Sequence, residues 1–74
     1  MRYVPKIRLT FRLPTGAAVG QAFPPGLLLK DAVHRAWPEA PSIYRVLRQG
    51  EDLSQDRDLS ALGFANDTEL EVLV

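Results

Sequence analysis

Seventy-four residues with zero net charge, no cysteine and a single histidine make one domain, spanning 1–74. They exclude a disulfide staple, a thiolate metal site and any multi-histidine centre. A chain this short buries only about 60% of the surface it exposes when unfolded, so its stability rests on an economical apolar core drawn from the 46% of residues that are hydrophobic.

The first segment, Ile7-Arg8-Leu9-Thr10-Phe11-Arg12-Leu13, alternates apolar and polar. Period two predicts a strand with Ile7, Leu9, Phe11 and Leu13 facing a core and Arg8, Thr10 and Arg12 facing out. Pro14-Thr15-Gly16 reads as a turn, with Gly16 free to take positive φ. Ala17 to Phe23 returns as the second strand. Gln21 shares a face with Val19 and Phe23, which requires a hydrogen-bond partner or a bulge that shifts the parity. This edge is apolar and Pro24-Pro25 guards only one end of it, which leaves pairing between copies open and the oligomeric state unassigned.

Leu28 to Trp37 reads as a helix. Leu29, Ala32, Val33, Ala36 and Trp37 form one apolar stripe. Gly26 is the best available N-cap, and Pro38 stops the helix. Ile43 to Arg48 is the third strand and Gln49-Gly50 its turn. Leu53 anchors a short fourth strand or extended piece. Asp58 caps a single turn, Leu59-Ser60-Ala61-Leu62, that Gly63 ends in the left-handed region. Asn66-Asp67 make another tight turn, and Leu70 to Val74 closes as the last strand with Leu70 and Val72 inward. A hairpin, one helix and strands returning to the same sheet give an α+β domain, a mixed four- to five-stranded sheet with one helix packed on one face.

No run approaches the ~20 apolar residues of a membrane span; Leu27-Leu28-Leu29 is as long as apolar stretches become. The start, MRYVPKIRLTF, has no signal-peptide core. These features predict a cytoplasmic protein without direct membrane insertion. Charge is lopsided. Residues 1–50 carry eight Lys/Arg against Asp31 and Glu39, whereas residues 51–74 carry Arg57 against seven acids. In a compact domain the two halves interleave and partly cancel. No aromatic stripe accompanies the basic residues, so nucleic acid is not the expected partner.

From Arg45 onward, RVLRQGEDLSQDRDLSALGFANDTELEVLV resembles ubiquitin without a gap: its third strand, Gly turn, acidic loop, Leu-Ser turn and closing Thr-x-Leu-x-Leu strand. Thr15-Gly16 and Pro25 match upstream. The resemblance implies a ubiquitin-like β-grasp fold. Within it, KIRLTF, DAVHRAW, Ile-x-Arg-Val and the Leu-Ser-x-x-Gly-Phe-x-Asn-Asp-Thr-x-Leu-Glu-Val-Leu ending are similar to the bacterial YukD/EsaB-like group. Those proteins lack a Gly-Gly tail and are associated with type VII secretion.

Nothing in the chain reads as catalytic, cofactor-binding or metal-binding. The sequence ends on Leu73-Val74, where a conjugating tag or sulfur carrier has a free Gly-Gly, and only Lys6 and Lys30 are available for chain branching. The acids around Asp56-Arg57-Asp58 lack calcium-loop spacing and read as a solvated loop with one helix cap. His34 has no nucleophile pattern beside it; it and Trp37 read as a surface and a core residue. By strand parity and a ubiquitin-like strand order, Arg8, Arg12, Arg45, Leu47, Glu71 and Leu73 share the helix-free face. The resemblance matches Leu47 and Leu73 to the two apolar positions through which ubiquitin is recognised, with Glu71 replacing the histidine between them. The expectation is a non-catalytic protein-interaction module that engages an apolar centre with an acidic rim, as an accessory of a type VII secretion system. The alternatives are a modifier or sulfur carrier cut short before a Gly-Gly tail, and a small regulatory subunit of a multicomponent enzyme.

Overall fold

A computed structural model of the chain describes residues 6–64 and 66–74. Its elements run β1 (Ile7–Arg12), β2 (Ala18–Phe23), α1 (Leu29–Ala36), β3 (Arg45–Arg48), β4 (Glu51–Asp52) and β5 (Thr68–Leu73). The five strands form one mixed sheet in the order β2-β1-β5-β3-β4. β5 runs parallel to β1 and antiparallel to β3, so the last strand fills the centre. This is the β-grasp arrangement that the sequence predicts.

The alternation in β1 decides which face is buried. Leu9 and Phe11 are fully buried, joined from neighbouring strands by Phe23, Val46, Leu70 and Val72. Leu29, Ala32, Val33 and Ala36 of α1 pack against them, and Leu13 and Trp37 lie half-buried at the margin. Leu59, from the irregular segment between β4 and β5, is also fully buried. Phe11 and Phe23 meet edge to face, with ring centroids 6.0 Å apart.

Local chemistry sets the turns. The first hairpin closes where Leu13 N–H donates to the Ala17 carbonyl at 2.8 Å and Gly16 adopts φ 93°. The β3–β4 hairpin turns through Gln49 and Gly50 with φ of 51° and 82°. Two positive φ values in a two-residue loop suit the right-handed twist of the strands it joins.

Four expectations need correction. Gln21 finds no side-chain partner among the described residues and forces no bulge: β2 keeps regular register with β1, Leu9 opposite Gln21, and Gln21 stays exposed at the sheet margin. Gly26 is not the N-cap. Leu28 occupies that position without a side-chain cap, and the first amides of the helix are satisfied by the 55–57 loop instead, Leu29 N–H donating to the Arg57 carbonyl at 3.0 Å and Lys30 N–H to that of Gln55 at 3.1 Å. β3 begins at Arg45, because Ile43 turns into solvent at 85% exposure while Tyr44 is buried. β5 begins earlier, at Thr68, and ends at Leu73.

Candidate protein-binding face

Strand register builds the helix-free face row by row. Arg12 of β1 stands beside Glu71 of β5, Glu71 beside Leu47 of β3, and Leu47 beside Asp52 of β4. Toward the start of β3, Arg45 faces Leu73. Toward the start of β5, Thr10 stands beside Glu69. Arg8, one turn of alternation further on, belongs to the same face. The six residues singled out from the sequence, Arg8, Arg12, Arg45, Leu47, Glu71 and Leu73, therefore lie on one surface, with Glu71 and Leu47 adjacent and Leu73 diagonal to Leu47.

The arginines do not stand free. Arg8 Nε lies 3.8 Å from Asp67 Oδ1, and Arg12 Nε lies 3.2 Å from Glu69 Oε1. Arg45 holds Asp52 with two nitrogens, Nε donating to Oδ2 at 2.9 Å and Nη2 at 2.8 Å. All six side chains are more than half exposed. Such pairs contribute little to stability, but they neutralise the rim. Arg8, Arg12 and Arg45 face Asp52, Asp67, Glu69 and Glu71, so the surface has no surplus positive charge to draw an acidic rim.

The apolar centre is also unequal. Leu47 retains only 9% exposure yet lies outside the core cluster. Strand register places it on the outer face, beside Glu71 and Asp52. Leu73 is half-buried and Glu71 exposed. Asp52, Asp67 and Glu69 are face residues that the sequence reading left out. Glu69 shares the parity of Glu71 and Leu73, and an earlier start for β5 would have identified it.

Elsewhere the residues with candidate chemistry have structural duties. Asp58 Oδ1 accepts from Ala61 N–H at 2.7 Å and from Ser60 Oγ at 2.9 Å. The Ala61 amide first, then the Ser60 hydroxyl, hold its carboxyl below the usual value. The turn it caps is completed by Leu62 N–H donating to the Asp58 carbonyl at 3.3 Å, and Gly63 follows at φ 69°. Asp56 pairs with Lys30 at 3.5 Å. Exposed His34 meets the Tyr44 ring edge to face at 5.9 Å. Burial, and then the charge of Asp31, push the Tyr44 phenol up. Arg48 stacks over Phe64, 5.3 Å from the ring centroid. Among the described residues no three His, Cys, Asp or Glu side chains gather as metal ligands, and no helix is long and apolar enough to cross a membrane.

No protein-family model and no curated protein matches the sequence. Solved structures do match the fold. One, from work on molecular mimicry of SUMO that promotes DNA repair, superposes with a TM-score of 0.86 at 17% identity, over 99% of this chain and 96% of that one. The ubiquitin-like domain of an Arabidopsis thaliana protein, determined by solution NMR, superposes with a TM-score of 0.78 at 20% identity, over 100% of this chain and 82% of that one. With the strand order, the single helix and the central parallel β1–β5 pair, these likenesses establish the ubiquitin-like β-grasp fold.

Proposed function

We propose that this chain is a non-catalytic ubiquitin-like module that binds another protein through the outer face of its sheet, around Leu73, Leu47, Glu71 and Arg45. The observation that carries the reading is that α1 covers one side of the sheet only. The other side presents Leu73 half-exposed among neutralised ion pairs, a small apolar centre inside a polar rim. The partner that fits has an apolar centre and a mixed or weakly basic rim, since Glu71 is the one acid of the face without an ion pair among the described residues.

The concrete version is a cytoplasmic YukD-like accessory of a type VII secretion system. Its support is sequence resemblance carried by segments that form definite elements here: IRLTF in β1, DAVHRA in α1 and TELEVL in β5. The test is calorimetric titration of the purified chain against the soluble part of a type VII secretion ATPase from the same genome. Binding at micromolar affinity that a Leu73→Asp, Leu47→Ala variant loses at least tenfold supports the reading. Undiminished binding by that variant, folded by circular dichroism, overturns the face. No binding by either chain overturns the secretion assignment.

A further inference from the structure

The two edges of the sheet are built differently. β4 is two residues long, and both are acids, Glu51 and Asp52. A short, charged strand is a protected edge. β2 is six residues long, reads Ala-Val-Gly-Gln-Ala-Phe and carries no charge and no proline. It is the outermost strand, and Ala18, Gly20, Gln21 and Ala22 are exposed.

Register states which backbone groups lie open. Leu13 N–H donates to the Ala17 carbonyl, and the pairing that follows places Val19, Gln21 and Phe23 opposite Phe11, Leu9 and Ile7. Antiparallel strands direct alternate residues toward the partner and away from it. Odd positions of β2 therefore face β1. Ala18, Gly20 and Ala22 direct their amides and carbonyls off the sheet.

We propose that this edge pairs with the same strand of a second copy, antiparallel about a two-fold axis at Gly20. Gly20 then lies opposite Gly20 of the second copy, and Ala18 opposite Ala22. Every outward amide between Ala18 and Ala22 meets a carbonyl, and the two sheets join into one. The strand is its own complement in three respects. The residues in the outward-bonding register are symmetric in size about Gly20, a methyl on each side. The strand has no charge to oppose its copy across the axis. The nearest charges, Arg8 and Arg12 on β1, are already paired with Asp67 and Glu69. Pairing also places Val19 beside Gln21 of the second copy, which covers more of the half-buried Val19. The acidic β4 edge repels its own copy, so the contact closes as a dimer and does not propagate into a fibre.

The test is sedimentation equilibrium of the whole chain up to submillimolar concentration, with amide exchange measured across the same range. The expected result is a monomer–dimer equilibrium. As concentration rises, exchange slows at the amides of Ala18, Gly20 and Ala22 and stays unchanged at those of Val19 and Gln21. Two substitutions probe the contact without disturbing the monomer. An added Cβ at position 20 meets only Thr10 Oγ1, at an ordinary 3.5 Å, and the amide of Gly20 serves no bond to β1. Gly20→Pro removes two intermolecular hydrogen bonds and weakens association about thirty-fold, equivalent to about 2 kcal/mol. Gly20→Lys sets like charges directly opposite and also shifts the chain to monomer. Circular dichroism spectra of both match the parent. A chain that stays monomeric at every concentration overturns the proposal. So does a dimer that survives both substitutions, or one that only Leu73→Asp dissolves.

Discussion

Replacing each leucine of the outer face by aspartate separates what the face does for stability from what it offers a partner. Leu47 is 91% removed from solvent, retaining 9%, and its cross-strand neighbours are Glu71 and Asp52. Leu47→Asp forfeits about 1.5–3 kcal/mol of apolar burial. It also places a carboxylate directly opposite two others, at roughly 0.2–1 kcal/mol each. The sum is about 2–5 kcal/mol, against the roughly 4–11 kcal/mol expected of a 74-residue domain. Leu73 is half-buried and faces Arg45. Leu73→Asp loses about 1 kcal/mol of burial, and a new attraction to Arg45 offsets part of it. Urea denaturation followed by Trp37 fluorescence reads the difference. With a slope near 1 kcal/mol/M, Leu47→Asp lowers the midpoint by at least about 2 M and Leu73→Asp by less than about 1 M. Equal losses, or a Leu47→Asp variant as stable as the parent, refute the placement of Leu47. The asymmetry is also why Leu73→Asp with Leu47→Ala is the binding probe; a double aspartate variant would mix loss of stability with any loss of contact.

Leu59→Ala removes a fully buried side chain supplied by an irregular segment and costs about 2–5 kcal/mol by thermal or urea unfolding. Gln49→Asn relieves a non-glycine residue at φ 51° and raises stability by up to about 1 kcal/mol; a loss would show that the turn is not strained. Asp58→Ala destabilises the chain, with faster amide exchange at Ala61. The folded carboxyl of Asp58 lies below its ordinary value of 3.8, so its contribution is full at neutral pH, begins to fall below the ordinary value and is lost as pH drops through the folded one. The difference between parent and variant should vanish in strong acid. The Tyr44 phenol is raised above 10.0, so its contribution is full below that value and is lost as pH rises through the folded one; Tyr44→Phe flattens the alkaline limb of the stability profile.

Periodicity in this chain announces what strands and helices bury, and it fails where backbone finds backbone. The alternation of β1 and the stripe of α1 name the core because one side chain in two, or in three to four, must leave water. The glycines at 16, 50 and 63 mark their turns because each takes positive φ. The start of α1 was illegible for the opposite reason. Its amides are satisfied by carbonyls of residues 55 and 57, a contact almost thirty residues away that leaves no cap residue at Leu28. Ile43 misled because a β-branched residue beside a strand reads as part of it, while the chain there still turns. On the outer face of the sheet the strand register brings the six residues onto one surface, but a sequence does not state exposure. The strands that flank Leu47, β4 and β5, reach it only through the register of the folded sheet.

The lopsided charge of the chain acquires its meaning from the strand order. Were the strands laid side by side in sequence, the basic half and the acidic half would form opposite ends of the sheet. The parallel return of β5 instead inserts Glu69 and Glu71 between Arg8 and Arg12 on one side and Arg45 on the other. Among the described residues only the exposed Arg12–Glu69 pair joins a β5 side chain to a neighbouring strand, and it contributes only a fraction of a kcal/mol; Arg8 pairs with Asp67 just before β5 and Arg45 with Asp52 of β4. An acidic β5 has no electrostatic reason to settle beside uncharged β2 or acidic β4, and β1 and β3 are the arginine-bearing strands that remain. On the proposed reading, recognition then falls to the apolar centre at Leu73 and to Glu71, which has no ion pair among the described residues. The uncharged strand, having no part in this scheme, is left at the edge with its backbone open.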